Sequence, residues 1–264
     1  AWEVRAHMDQ IVVIMPFKDG HQFVHEALTS IATQNGLEDF DLEVVIVDDF
    51  SDHTLVILAD QYPFKVKVIA NPDPNRKGAG YARGLAIASA TGRFVAFLDC
   101  DDIWAPEKLK TQISQMKAQG WALSFGGYGH MVQGDGLASA PYVPSGPYTW
   151  IGFLSKQFTI GCLTVIYDRN SVADPIPSHL RRRNDYHMWA QIIRQIEDEG
   201  MNWGSVDHSI GFYRVRKGSL SSSKSKAILG YWIFLGVVDP KLWRRAPLFA
   251  GYFLRTVFRR LQHG

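Results

Sequence analysis

A series of short, continuous apolar runs set apart by helical spacing constrains the fold of this chain more than any other feature. "QIVVIM" (10–15), "LEVVIVDD" (42–49), "KVKVIA" (65–70) and "RFVAFLD" (93–99) are of strand length and rich in Val and Ile. Such runs suit strands that are covered on both faces. Between the first two, "HQFVHEALTSIATQ" (21–34) places Phe23, Val24, Ala27, Leu28 and Ile31 at helical spacing. Ser51 or Asp52 can cap a second helix starting near His53, and "GAGYARGLAIASA" (78–90) reads as a third helix of small residues. Strands alternating with helices predict an α/β fold: a Rossmann-like, mostly parallel central sheet flanked by helices and joined by right-handed crossovers.

The pattern changes after residue 105. Pro106 suits the first turn of a helix over "EKLKTQISQMKAQG", which Gly120 closes. Residues 121–150 are rich in Gly, Pro, Tyr and Ser with aromatic strand pieces, predicting a smaller mixed sheet over the first unit. "GCLTVIYD" (161–168) and "SIGFYRV" (209–215) read as further strands and "DYHMWAQIIRQIEDEG" (185–200) as a helix. "RKGSLSSSKSK" (216–226) is a polar loop, and a helical C-terminal region follows.

Composition bears mainly on partners. The net charge of +2 hides a basic tail: residues 240–264 hold Lys241, Arg244, Arg245, Arg255, Arg259 and Arg260 and no acid, leaving −4 elsewhere. Basic character this local argues against a nucleic-acid reader and for a tail that meets an anionic surface. Leu248, Phe249, Tyr252, Phe253, Val257 and Phe258 lie beside these bases, as in a basic amphipathic helix at a membrane surface. The competing reading is an ordinary helix docked on the domain. Cys100 and Cys162 form neither a disulfide framework nor a metal-ligand pair, which predicts a reducing compartment. No run reaches the ~18 apolar residues of a spanning helix, and no secretory signal opens the chain, so a cytoplasmic location is expected. "AWEVRAHM" reads as an appended stretch, with Met8 as the natural start.

In open parallel sheets, ligands bind beyond the carboxyl ends of the strands. Those ends carry Pro16-Phe17-Lys18-Asp19, then Asp48-Asp49, then Asn71 with Arg76 and Lys77, then Asp99-Cys100-Asp101-Asp102. Any one carboxylate could cap a helix or face solvent. As a set, such crowded like charges are unfavourable unless donors or a cation hold them. A hard divalent ion, Mg²⁺ or Mn²⁺, suits an oxygen-ligand site of this kind.

The ordered segments "VVIMPFKDG", "VVIVDDFSDHT" and "NPDPNRKGAGYARGLAIASATGRFVAFLDCDDIWAPEKL" resemble the family 2 nucleotide-sugar glycosyltransferases of GT-A fold. "TIGCLTVIYDR", "RRRNDYHMW" and "YRVRKGSLSSSK" resemble the members that build bacterial surface polysaccharides, such as teichuronic acid, capsule and O-antigen. The likeness covers about residues 10–226. It implies a GT-A domain over 9–226, with a nucleotide-binding half (9–105) and an acceptor half (106–226), followed by a C-terminal basic amphipathic region (227–264). Pro16, Phe17 and Asp19 would line the base pocket, Asp49 would meet the uracil end, and Arg83 would hold that side of the site. Arg76, Lys77 and Cys100 join the nucleotide side, Asp99 reaches the ribose, Asp101 binds the Mn²⁺ or Mg²⁺ that bridges the diphosphate, and Asp102 supports the loop. Asp185 would be the general base, with Asn184, His187 and Trp189 toward the acceptor. Tyr213, Arg214, Ser219 to Ser221 and Lys224 would close over the diphosphate. The expected activity is inverting transfer from a UDP-sugar to a lipid-linked glycan at the inner face of the membrane.

Four positions depart from the family pattern. Lys18 replaces an aromatic residue, Phe50 the Gly of "DDGS", Gly84 the Asn of "ARN", and Asn184 the Glu of an "ED" pair. Three rival classes share some of these features. A haloacid-dehalogenase-type phosphatase would use Asp99 as nucleophile with Asp101, but Ile103 stands where Thr or Val is expected. A dinucleotide-binding oxidoreductase would rest on "GAGYARG", whose spacing is G-x-G-x-x-x-G. A non-catalytic sugar-binding module would have no need for Asp99, Asp101 and Asp185.

Overall fold

The computed structural model describes residues 8–58, 60–132, 136–137, 140–215 and 224–263. β1 (Asp9–Phe17), β2 (Phe40–Asp48), β3 (Lys65–Ala70) and β4 (Phe94–Phe97) lie parallel in the order β3-β2-β1-β4. α1 (His21–Ala32) follows β1, and α2 (Ala79–Ala88) follows β3. β1 shows why its sequence runs without polar alternation: Val12 and Ile14 pack with Ala82, Ala86 and Ile87 of α2, whereas Ile11, Val13 and Met15 pack with Val24, Ala27 and Leu28 of α1. Each such side chain, fully buried, contributes about 1.5–3 kcal/mol. β3, at the sheet edge, is only partly covered.

Among the described residues no helix lies between β2 and β3. The capping groups expected there are used otherwise. Ser51 Oγ accepts the Asp19 N–H at 3.0 Å, Asp19 Oδ1 accepts the Asp52 N–H at 2.8 Å, and Asp48 Oδ1 accepts the Ser51 N–H at 3.0 Å. Cap chemistry thus ties the loop after β1 to the loop after β2.

The mixed strands are β5 (Ile103–Trp104), β6 (Trp121–Val132), β7 (Gly136–Leu137), β8 (Ile166–Asp168) and β9 (Asn202–Arg214). They do not form the separate smaller sheet that the sequence suggests. β8 pairs antiparallel with β4, Ala96 opposite Ile166, and the order continues β8-β6-β9-β5, with β7 against β6. One sheet therefore runs through both predicted halves. The segment 161–168 is a strand only at its end, because Cys162–Thr164 forms a 3₁₀ turn. α3 (Lys108–Gln119) stops at Gly120, whose φ of 64° is the left-handed cap a glycine supplies.

α4 (Trp150–Leu154), α5 (Asn184–Asp198), α6 (Lys224–Val238) and α7 (Leu242–His263) complete the fold. α7 docks on α6: Phe249 packs on Trp232 with ring centres 5.0 Å apart and Tyr252 on Tyr231 at 4.3 Å. Arg255 donates to the Ser155 carbonyl at 2.9 Å. As far as Arg255, the predicted amphipathic helix spends much of its apolar face on its own domain. The side chains of Val257, Phe258, Arg259 and Arg260 lie outside the described residues.

Candidate active site

The carboxyl ends of β1, β2 and β4 converge on one rim, and Asp49 assembles the first part of it. Its N–H donates to the Phe17 carbonyl, its Oδ1 accepts from Asn71 Nδ2 at 2.8 Å, and its Oδ2 accepts the Gly78 N–H at 2.6 Å. Gly78, at φ 111° and ψ 156°, occupies backbone space that only glycine enters readily, so the turn into α2 depends on it. Phe50 has φ 61° and keeps the left-handed conformation that suits the glycine it replaces. Lys77 Nζ lies 4.5 Å from the centre of its ring, and Arg76 is largely exposed. Cys100 is buried against the β1 loop: a Cβ on Gly20 would lie 2.5 Å from its sulfur. Pro16 and Phe17 end β1 and Lys18 and Asp19 open that loop, with Phe17 fully buried and Lys18 exposed.

Arg83, buried on α2, joins the two predicted halves. Its guanidinium donates to Asp99 Oδ1 at 2.5 Å and to Asn184 Oδ1 at 2.7 Å. Burial alone would lower its pKa, but Asp99, with Cys162 and Asp185, raises it beyond the ordinary arginine value. The charge is therefore permanent and confined between the two halves. Gly84, next in sequence, sits where a Cβ would come within 2.5 Å of the Pro177 Cβ. The asparagine of the family pattern has no room against this proline.

The turn 99–102 divides its carboxylates. Asp99 is held by Arg83. Asp102 is buried, and its Oδ1 accepts the Arg214 N–H at 2.9 Å. Burial, followed by the charges of Asp101 and Asp99, pushes the Asp102 pKa well above the usual carboxylate range. Asp101 lies between them, partly exposed. The Arg214 side chain departs from the expected diphosphate role, because it is nearly buried and donates to the Asp101 carbonyl and to Glu26. Ser219 to Ser221 lie outside the described residues, as does the side chain of Lys224.

Asn184 and Asp185 open α5. Among the described residues, no donor hydrogen-bonds the Asp185 carboxylate, which is half-buried and close enough to bear on the charge of Arg83. Trp189 is fully buried one turn on and meets Phe97 edge to face at 4.7 Å. His187 is a packed residue: its Nδ1 lies 3.0 Å from Ser178 Oγ, and burial, with His179 adding to it, lowers its pKa. Tyr213 belongs to the same centre, because burial and then Cys162, Asp102, Asp99 and Asp185 push its hydroxyl pKa up. Cys162 adjoins this cluster: burial raises its thiol pKa against the pull of Arg83. The quoted "TIGCLT" segment was the available signal, since Gly161 leaves no space for a side chain beside Tyr128 and Tyr213.

The model of the family described as "Glycosyl transferase family 2" matches residues 12–164. The chain belongs to glycosyl transferase family 2. Over 226 residues it is 30% identical to the Escherichia coli UDP-Glc:alpha-D-GlcNAc-diphosphoundecaprenol beta-1,3-glucosyltransferase WfgD, covering 86% of this chain and 85% of the relative. Over 253 residues it is 29% identical to the putative teichuronic acid biosynthesis glycosyltransferase TuaG of Bacillus subtilis, covering 95% of this chain and 97% of the relative. The crystal structure of S. aureus TarS 1-349 superimposes with a TM-score of 0.62 at 18% identity, covering 92% of this chain and 70% of that one, so the two share the GT-A fold. Membership sets aside the phosphatase reading, and the Asp99 that would be its nucleophile is bound to Arg83.

Proposed function

We propose that this family 2 enzyme transfers a hexosyl group from a UDP-sugar to a hydroxyl of a lipid-linked glycan, with inversion at the anomeric carbon. The observation that carries the reading is the position of Asp185, unclaimed by any hydrogen-bond donor among the described residues, beside the Arg83–Asp99 pair. Asp185 takes the proton of the acceptor hydroxyl, whose oxygen bonds to the anomeric carbon. The bond from that carbon to the diphosphate breaks, and UDP leaves with the electron pair. Base catalysis of this kind contributes typically ~10²- to 10⁴-fold. Inversion needs only this one carboxylate. Retention through a glycosyl-enzyme would need a second, nucleophilic one, and Asp99 is engaged by Arg83. The names of WfgD and TuaG support a UDP-sugar donor and a diphosphoundecaprenol-type or wall-polysaccharide acceptor, which would place the reaction at the inner face of the membrane.

No group of three or more His, Cys, Asp or Glu side chains among the described residues could hold a metal ion unaided. Asp101 would hold Mg²⁺ or Mn²⁺ together with diphosphate oxygens, the sparse protein ligation such ions accept. When bound, the ion would offset charge on the leaving diphosphate. Asp49 and Asn71 would meet the base, and Asp99 the ribose.

The test is UDP release from a panel of UDP-sugars, with and without chelator. Asp185→Asn is expected to abolish release while UDP affinity stays within about twofold, and EDTA is expected to stop turnover until Mn²⁺ or Mg²⁺ is restored. Near-wild-type turnover by Asp185→Asn would remove the base assignment, and full activity in EDTA would remove the cation.

A further inference from the structure

Resting on that reading of the acceptor, we infer that the chain docks on an anionic bilayer through α6 and the segment 180–182, and not through α7, the helix whose sequence suggests it. The predicted amphipathic helix spends much of its apolar face on α6, as the Phe249–Trp232 and Tyr252–Tyr231 contacts show. α7 also keeps Leu242, Trp243, Phe253 and Leu254 exposed, with Arg244 beside Trp243 paired to Asp239, and α6 leaves a second apolar stripe uncovered. Leu229, Ile233 and Val237, at i, i+4 and i+8, are 59%, 48% and 39% exposed. One flank of this stripe is a cleft of about 280 Å³ lined by Leu180, Arg181, Arg182, Lys226, Leu229 and Ile233. Its floor is close-packed: a Cβ on Gly230 would lie 3.2 Å from the Arg182 Cβ, so the arginine stem lies flat on the helix.

The chemistry of this face specifies its occupant. Three bases border apolar side chains, and the cleft lining includes no acid. Arg181 and Lys226 have no ion-pair partner among the described residues. Residues 224–263 carry eight Lys and Arg against one acid, Asp239. A protein partner of ordinary composition would satisfy the apolar stripe and leave the bases desolvated. An anionic lipid surface meets both needs, with phosphates at the bases and acyl chains at Leu229 and Ile233. No helix among the described residues is long and apolar enough to cross a membrane, so the contact would be interfacial. The face also adjoins the chemistry. Asp185 lies four residues after Arg181, within about 14 Å even along extended chain. Docking there would set the base at the height of a lipid-linked hydroxyl.

The experiment is flotation of the full chain with vesicles of phosphatidylcholine alone or mixed equally with phosphatidylglycerol. The expected result is binding to the mixed vesicles only. Removing one base near such a surface costs about fivefold in partition, so Arg181→Glu with Lys226→Glu should lower binding at least about 25-fold. Ile233→Asp should also release the chain, whereas Leu254→Asp on α7 should have a small effect. Hydrolysis of a soluble UDP-sugar by the folded variants should match wild type, which separates failure of docking from failure of the catalytic reading. Equal binding by the charge-reversed pair, equal binding to neutral vesicles, or loss through Leu254→Asp alone would each overturn the inference.

Discussion

Gly84→Ala should destabilise the protein, although the same change inside an ordinary helix stabilises. Gly84 is internal to α2, where alanine is favoured by about 1 kcal/mol. Here the new methyl would lie 2.5 Å from the Pro177 Cβ and 3.0 Å from its Cα, and closer still to Cγ. A proline ring has no alternative rotamer, and Cα is backbone, so relief requires moving α2 or the 176–178 segment. Overpacking of this kind costs about 1–3 kcal/mol. With an obstacle this stiff the upper part of that range applies, and the net loss is about 2 kcal/mol. For a chain of this size, that lowers Tm by about 4–8 °C. Gly236→Ala in α6 is the internal control, because its methyl would meet only the far end of the Arg245 side chain, which has other rotamers. There propensity wins, and Tm should rise by about 1–4 °C. Circular dichroism melts of the two variants decide the matter. If Gly84→Ala melts at or above wild type, or if Gly236→Ala is the more damaging, the packing account of Gly84 fails.

Asp102 supplies a prediction on pH. Its folded pKa is raised by burial and by its acidic neighbours, so its contribution to stability is complete below the unfolded value near 3.8 and is lost as pH rises through the folded value. Asp102→Asn keeps an oxygen for the Arg214 N–H and cannot ionise. Its stability relative to wild type should therefore improve from pH 4 to pH 8, by at most about 1.4 kcal/mol per pH unit. Denaturant melts across that range check it, and a difference that is flat or shrinks would be fatal to the assignment. Asn184→Glu, which restores the family's acidic pair, adds a carboxylate next to Asp185 and disfavours its ionised form. The acidic limb of the kcat/KM profile should move to higher pH. No movement, or movement the other way, would indicate that Asp185 is not the group being read.

How far the sequence carries depends on whether a residue's role is local. The parallel half is legible because a strand covered on both faces must be apolar throughout, and Ile11 to Phe17 are buried without a break. The helix after β2 is misread because the Ser51 hydroxyl serves equally to start a helix or to bind the Asp19 N–H. The single sheet is hidden because its joint, Ala96 opposite Ile166, pairs residues that are distant in sequence. At the site, the clustered acids are visible as a count. Their partners are not, because Arg83 meets Asn184 across 101 residues and Arg214 meets Glu26 across 188.

Those hidden partners change the electrostatics of the proposed reaction. The resemblance implies Arg83 at the uracil side and Arg214 over the diphosphate, yet the first is divided between Asp99 and Asn184 and the second is spent on Glu26 and the Asp101 carbonyl. Of the bases assigned from sequence to the nucleotide side, Arg76 and Lys77 remain among those with described side chains. Both stand on the loop after β3, and Lys77 lies over the Phe50 ring. A diphosphate left with so little fixed positive charge must gain it elsewhere, because stabilising the developing charge is usually the largest catalytic term. The proposed cation at Asp101 would supply it. Dependence on Mn²⁺ or Mg²⁺ should accordingly be steep, and charge-removing changes at Arg214 should act through the position of the Asp101 turn more than through contact with the nucleotide.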